Sequence, residues 1–370
     1  MARPRRHPRH PRRHLPRRRR VVRRSPLPHR EGRSMIARRT MLAYLAALAA
    51  PIASALPLPG PATPARRARI FTLLAKAEGP ADQAFRAQLA LDGIDTEIVP
   101  REVGSDIVKI TAAVREARAR GADLIYASGA ALAEALAGPA GANDPARSVT
   151  DIPIVFTALT LTPEQGVALA TGRRNVTGVA AAVPPALQLD AIRAYRPFER
   201  VGVIVNPANK TTLATVEQLR TAAALHNVAL IERHLPLDPR GQPLASALPE
   251  LVAALARQEA QLLYVPQDDW LATNGKPLTD AALAQHLPSF TADATLLRHA
   301  RALFGLVPSP ESAGRIAGHQ AARILKEGAA PGTLPVQGLP RNRCIINMSV
   351  ATALELYPPV ALLNTAEILR

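Results

Sequence analysis

From Ala68 onward, short apolar runs alternate with amphipathic stretches, and this alternation restarts once. The first series of runs lies at 70–74, 97–99, 124–127, 153–157 and 176–180. Helical periodicity separates them, chiefly over 81–91 and 106–120. In the latter Ile107, Ile110, Ala113, Val114 and Ala117 fall on one face and Gly121 ends the helix. Pro184 and Pro185 interrupt the pattern. A second series then sets a helix over 186–195, a strand over 201–205 closed by Asn206-Pro207, and a helix over 212–226. A strand over 228–232, a helix over 248–257 and a strand over 261–265 follow. Strands that alternate with helices imply a parallel sheet covered on both faces. The expected fold class is therefore α/β, with two doubly wound parallel-sheet lobes joined by a hinge near 181–184. Ligands of such sheets sit beyond the carboxyl ends of the strands, and two lobes facing each other there make a closable cleft.

The net charge of +17 suggests nucleic acid until it is mapped. Residues 1–34 hold fourteen Arg and one Glu, and Arg38 and Arg39 add two more positive charges. Only +2 is left for the chain from Leu56 onward, so no basic groove for phosphates is expected in the folded part. The segment 1–34 is of low complexity, and its proline and like charges oppose a packed structure. Translation from Met35 is the favoured reading, because residues 35–55 form a complete signal peptide. Arg38 and Arg39 lie in its n-region, 41–53 is apolar, and Ala53-Ser54-Ala55 has the form of a cleavage site. Export by the general route or, given the paired arginines, the twin-arginine route is expected, with cleavage after Ala55. Residues 56–67 read as a Pro/Ala linker.

A search for chemistry finds no nucleophile elbow, zinc-protease motif, Walker loop or dinucleotide fingerprint. Gly275-Lys276 lacks the upstream glycine of a phosphate loop, and Pro277 is expected to stop a following helix. The five histidines after the signal region, at 226, 234, 286, 299 and 319, show no metal spacing. No catalytic residue, metal or cofactor is assigned. The single cysteine, Cys344, reads as a buried apolar residue in a strand.

The strand ends are more informative. Ser128 and Gly129 join the 124–127 run to a helix, where free N–H groups can hold a carboxylate. Thr157 and Thr160 lie just past 154–156. Asp268 and Trp270 follow 261–265, and Asp293 follows a run at 289–291. Each Ser, Thr and Asp is equally explained as a helix N-cap, and Trp270 as packing at a lobe surface. The functional reading makes Trp270 an apolar wall and the two aspartates partners for a cationic group.

Several motifs resemble those of the ABC transporter substrate-binding family that includes tryptophan- and tyrosine-type binding proteins. They are DIPIVFTA at 151–158, NVTGV at 175–179, RVGVIVNP at 200–207 and LYVP at 263–266. Gly314-Arg315 before QAARIL at 320–325, and IIN at 345–347 before Ala351, Ala353 and Leu354, continue the series. The resemblance implies a type I periplasmic-binding fold with three hinge crossings. The first lobe would comprise 68–183 and 306–336, the second 184–305 and 337–370. It also implies a monomeric periplasmic protein that performs no chemistry and delivers a small solute to an ABC permease in the inner membrane. Relatives often carry an acidic residue where Ser309 stands, so the resemblance leaves amino-acid specificity open while placing Ser309 at the site. A sensing module that signals to a membrane receptor, on the same fold, is the alternative.

Overall fold

The computed structural model describes residues 67–138 and 148–370, all within one compact unit. The basic segment, the expected signal peptide and the expected linker up to residue 66 lie outside the described residues.

In chain order the first lobe holds β1 (Ala68–Leu74), α1 (Pro80–Leu91), β2 (Thr96–Glu102), α2 (Ile107–Ala119), β3 (Leu124–Ser128), α3 (Ala130–Ala137), β4 (Ile154–Ala158), α4 (Pro163–Ala170) and β5 (Val176–Ala180). Its strands form a parallel sheet in the order β2-β1-β3-β4-β5. Successive side chains point to opposite faces. Phe71, Leu73, Ile125 and Ala127 therefore pack against α2 and α3, while Ile70, Leu124 and Tyr126 enter a second core on the other face.

The second lobe starts with α5 (Pro185–Tyr195), β6 (Arg200–Val205), α6 (Lys210–Leu225), β7 (Ala229–His234), α7 (Leu248–Arg257) and β8 (Leu262–Val265). It continues through α8 (Asp269–Thr273), α9 (Gly275–Ala284), β9 (Ser289–Thr291), α10 (Ala294–His299) and β10 (Phe304–Val307). After α11 (Pro310–Glu327) come β11 (Arg343–Asn347), α12 (Met348–Ala353), α13 (Val360–Leu363) and β12 (Glu367–Leu369). The sheet order is β12-β11-β10-β9-β8-β6-β7, parallel except where β11 runs against β10. Val201, Val203 and Tyr264 fill one face, and Ile204, Leu263 and Val265 the other.

The helix α11 belongs to the first lobe although both neighbouring strands belong to the second. Its Ala313, Ala317 and Ala321 join the core under α1. A Cβ on Gly314 would lie 2.0 Å from the Ala81 carbonyl oxygen, and one on Gly318 2.8 Å from that of Phe85. Only glycine lets the two helices approach this closely, which gives the Gly314-Arg315 motif a packing reason.

The chain passes between the sheets at 181–184, at Pro308-Ser309 and over 338–342. These points differ slightly from the expected boundaries. Leu306 and Val307 remain in β10, paired with Cys344 and Arg343. Gln337 still bridges to Val179 and accepts from Ala180 N–H at 2.9 Å, so it stays with the first sheet.

Three local expectations are corrected. Ile107 is 63% exposed, because it is the first residue of α2 and points away from the core. Pro277 does not stop a helix. It lies in the first turn of α9, where its missing N–H would have no intrahelical partner anyway. Cys344 is half-buried rather than fully buried, since β11 lies next to the edge strand β12; burial still pushes its thiol up.

Candidate functional site

Strand register builds the site. Leu74 aligns with Ser128, and Ser128 with Thr157, so the carboxyl ends of β1, β3 and β4 lie side by side. At the end of β3 the chain turns into α3 through Gly129, whose φ of +125° is strained for any L side chain. The Gly129 N–H is taken by the Thr157 carbonyl at 2.9 Å, and no side chain caps α3. The first N–H groups of this eight-residue helix therefore face the strand ends without a capping side chain.

A cavity of about 590 Å³ opens over these strand ends. Ser128, Gly129, Thr157 and Thr160 border it from the first lobe, together with Lys76, Asp82, Glu134 and Gln165. Thr211 and Asp269 border it from the second lobe. A smaller cavity of about 170 Å³ adjoins it at the first crossing, sharing Thr160, Gln165, Thr211 and Asp269 and adding Gln188, Asn209 and Asp268.

Thr157 is 3% exposed, and its hydroxyl makes no hydrogen bond of normal geometry to a described residue. Asp82, 6% exposed, lies in the first turn of α1. One of its oxygens accepts from the Tyr126 hydroxyl at 3.0 Å and the other from the Gly79 N–H at 2.9 Å. Phe85, one turn further along α1, stacks on Tyr126 with centroids 4.0 Å apart, which fixes the helix against β3. Burial, reinforced by the neighbouring Asp82 charge, pushes the Tyr126 phenol far above its usual range, so it stays a neutral donor.

The expected residues of the second lobe are placed differently. Asp268 is 3% exposed and fully engaged. Its Oδ1 caps α8 by accepting from the N–H groups of Trp270 and Leu271 at 2.8 and 3.0 Å. Its Oδ2 accepts from Asn206 at 3.1 Å, Asn209 at 2.8 Å and the Thr212 hydroxyl at 2.6 Å. Asp293 caps α10 through Thr295 N–H at 2.7 Å, and Trp270 packs on the core beneath α8 and α9. Neither borders either cavity. Ser309 caps α11 and donates to Glu311 at 3.0 Å; its neighbour Pro310 reaches the larger cavity.

Sequence reasoning missed Asp82, Glu134 and Thr211. Asp82 was within reach of the same logic, because Gly79-Pro80 opens a helix directly after the first strand. Of the described residues, no helix is long and apolar enough to cross a membrane.

No curated protein matches the sequence. Among solved structures, a substrate-binding protein with adhesive properties from Clostridium difficile, in a ligand-free open form, is 19% identical. That match covers 82% of this chain and 98% of the other at a TM-score of 0.66. An ABC domain from Streptococcus pneumonia in complex with L-Trp is 18% identical, over 82% of this chain and all of the other, at 0.62. A leucine-binding protein from Thermotoga maritima is 13% identical, over 70% and 83% of the two chains, at 0.51. These likenesses show the type I periplasmic-binding fold. The family described as ABC transporter substrate binding protein matches residues 96–368. That span takes in both lobes, and the chain therefore belongs to the ABC transporter substrate binding protein family, a solute-binding class.

Proposed function

We propose that the chain is the exported solute-binding component of an ABC import system, and that it takes a small polar or amino-acid-like solute into the larger interlobe cavity. The observation that carries this reading is the cavity itself. Side chains from both lobes border it at the carboxyl ends of parallel strands, the position where such sheets take ligands. Ser128, the first N–H groups of α3 and the Thr157 and Thr160 hydroxyls would take a polar or anionic end of the solute. Thr211 and Asp269 would meet it from the other side as the lobes close. The L-Trp bound by the pneumococcal neighbour is consistent with a ligand of amino-acid size. The n-region, apolar stretch and Ala53-Ser54-Ala55 site support export to the periplasm, where the protein would hand its solute to the permease as a monomer.

Native mass spectrometry of the exported protein tests this. A bound small solute, released on unfolding, and a mature start at Leu56 are expected. A mature chain that begins before Met35, or stays in the cytoplasm, would contradict export. An exported protein without bound solute, and inert toward a broad solute library, would contradict capture.

A further inference from the structure

The wall of the larger cavity carries more negative than positive charge. Asp82 and Glu134 border it from the first lobe and Asp269 from the second, against Lys76 alone. Several carboxylates elsewhere lie against a cation: Glu97 and Glu116 against arginines, Asp151 against Arg118, Asp280 against Lys276. No ion-pair partner is found for the three cavity carboxylates among the described residues. Asp82 is a built acceptor, buried and oriented by the Tyr126 hydroxyl and the Gly79 N–H, and each of its oxygens retains a further lone-pair direction. In the same cavity wall, the Thr157 hydroxyl is nine-tenths buried, lies beside the Tyr126 phenol, and makes no hydrogen bond of normal geometry to a described residue. The apolar part of the wall comes from Ala, Pro and Leu, and among the described residues no aromatic ring borders either interlobe cavity.

We infer that the site selects aliphatic solutes that carry an alkylammonium group and a net positive charge, with Asp82 and Thr157 receiving the ammonium. The inference rests on the reading of this cavity as the solute site. Closure would bring Asp269 toward Asp82 and Glu134 as water leaves, and charge repulsion strengthens when solvent is displaced. A cation between them converts that repulsion into attraction, so it promotes the closed form. A neutral or anionic solute leaves the carboxylates opposed. An aromatic solute gains little from a wall without rings.

The test is titration calorimetry of the purified protein at low salt with L-lysine, putrescine, L-leucine, L-tryptophan and L-glutamate. L-lysine or putrescine should bind at least about tenfold more tightly than the other three, since a hydrogen bond to a charged group is typically worth that much. Asp82→Asn should lose about tenfold or more for the cation. Because Asp82 also supports Tyr126, the exposed Asp269→Asn serves as the second variant, with a severalfold loss and an unchanged fold. Preference for L-leucine, L-tryptophan or L-glutamate, or cation affinity untouched in both variants, would overturn the inference. So would failure of all five while native mass spectrometry finds a bound neutral or anionic solute; solute capture would then still stand. No binding and no bound solute would sink both.

Discussion

The two lobes present polar residues at equivalent places, just past the ends of parallel strands, yet they use them differently. In the first lobe the Thr157 hydroxyl makes no hydrogen bond of normal geometry to a described residue, and α3 has no capping side chain. In the second, Asp268 accepts five hydrogen bonds and Asp293 caps α10. A polar side chain after a strand is therefore not yet a binding group. What distinguishes one is hydrogen-bonding capacity left over on a cavity wall.

The sharpest way to break this comparison is Asp268→Ala. Three side-chain donors would lose their acceptor and α8 its cap, so stability should fall by about 3–4 kcal/mol in urea unfolding. A small stability loss with abolished solute binding would instead make Asp268 a ligand group. Next in size is Gly314→Ala. Its Cβ would strike the Ala81 carbonyl, so overpacking should cost about 1–3 kcal/mol. Hydrogen exchange should show the loss in the first lobe's sheet and spare β6 and β8. Equal loosening of both lobes would mean that α11 is not confined to the first.

Thr157→Val removes a hydroxyl that makes no hydrogen bond of normal geometry to a described residue. Stability should change by less than about 0.5 kcal/mol, while solute affinity drops roughly threefold to tenfold, as for loss of one neutral hydrogen bond. Unchanged affinity, read by calorimetry, would take Thr157 out of the site. The smallest effects are expected for Trp270→Phe, Asp293→Asn and Cys344→Ala, each leaving solute affinity within about twofold, because none of these residues borders the larger cavity. A large loss at Trp270 with the fold intact would restore the aromatic wall.

The sheets and their covering helices were legible because strand and helix periods differ, and runs such as 201–205 leave little ambiguity. Of the expected residues, Ser128, Gly129, Thr157 and Thr160 of the first lobe border the larger cavity, while Asp268, Trp270 and Asp293 of the second do not. Asp at a strand-to-helix turn satisfies the rule for an N-cap and the rule for a ligand group equally well. Asp268 is decided by Asn206, Asn209 and Thr212, which tertiary structure brings to it from 56–62 residues away. Asp82 has a local signal, the helix opened by Gly79-Pro80, but its burial and orientation depend on Tyr126, a donor 44 residues distant. The second and third crossings were misplaced by one or two residues, since apolar Leu306 and Val307 suit either sheet and only their pairing with β11 assigns them.

Small-angle scattering with and without solute tests the central claim most directly. The solute recovered from the exported protein would be added back at a thousandfold excess over its Kd, which should stabilise the fold by about 4 kcal/mol. Capture between the lobes predicts a smaller radius of gyration in the solute-bound protein, and in Asp82→Asn a compaction midpoint that moves to about tenfold or more higher solute concentration. A saturated protein whose scattering curve is identical to that of the free form would contradict closure on a ligand held at these strand ends.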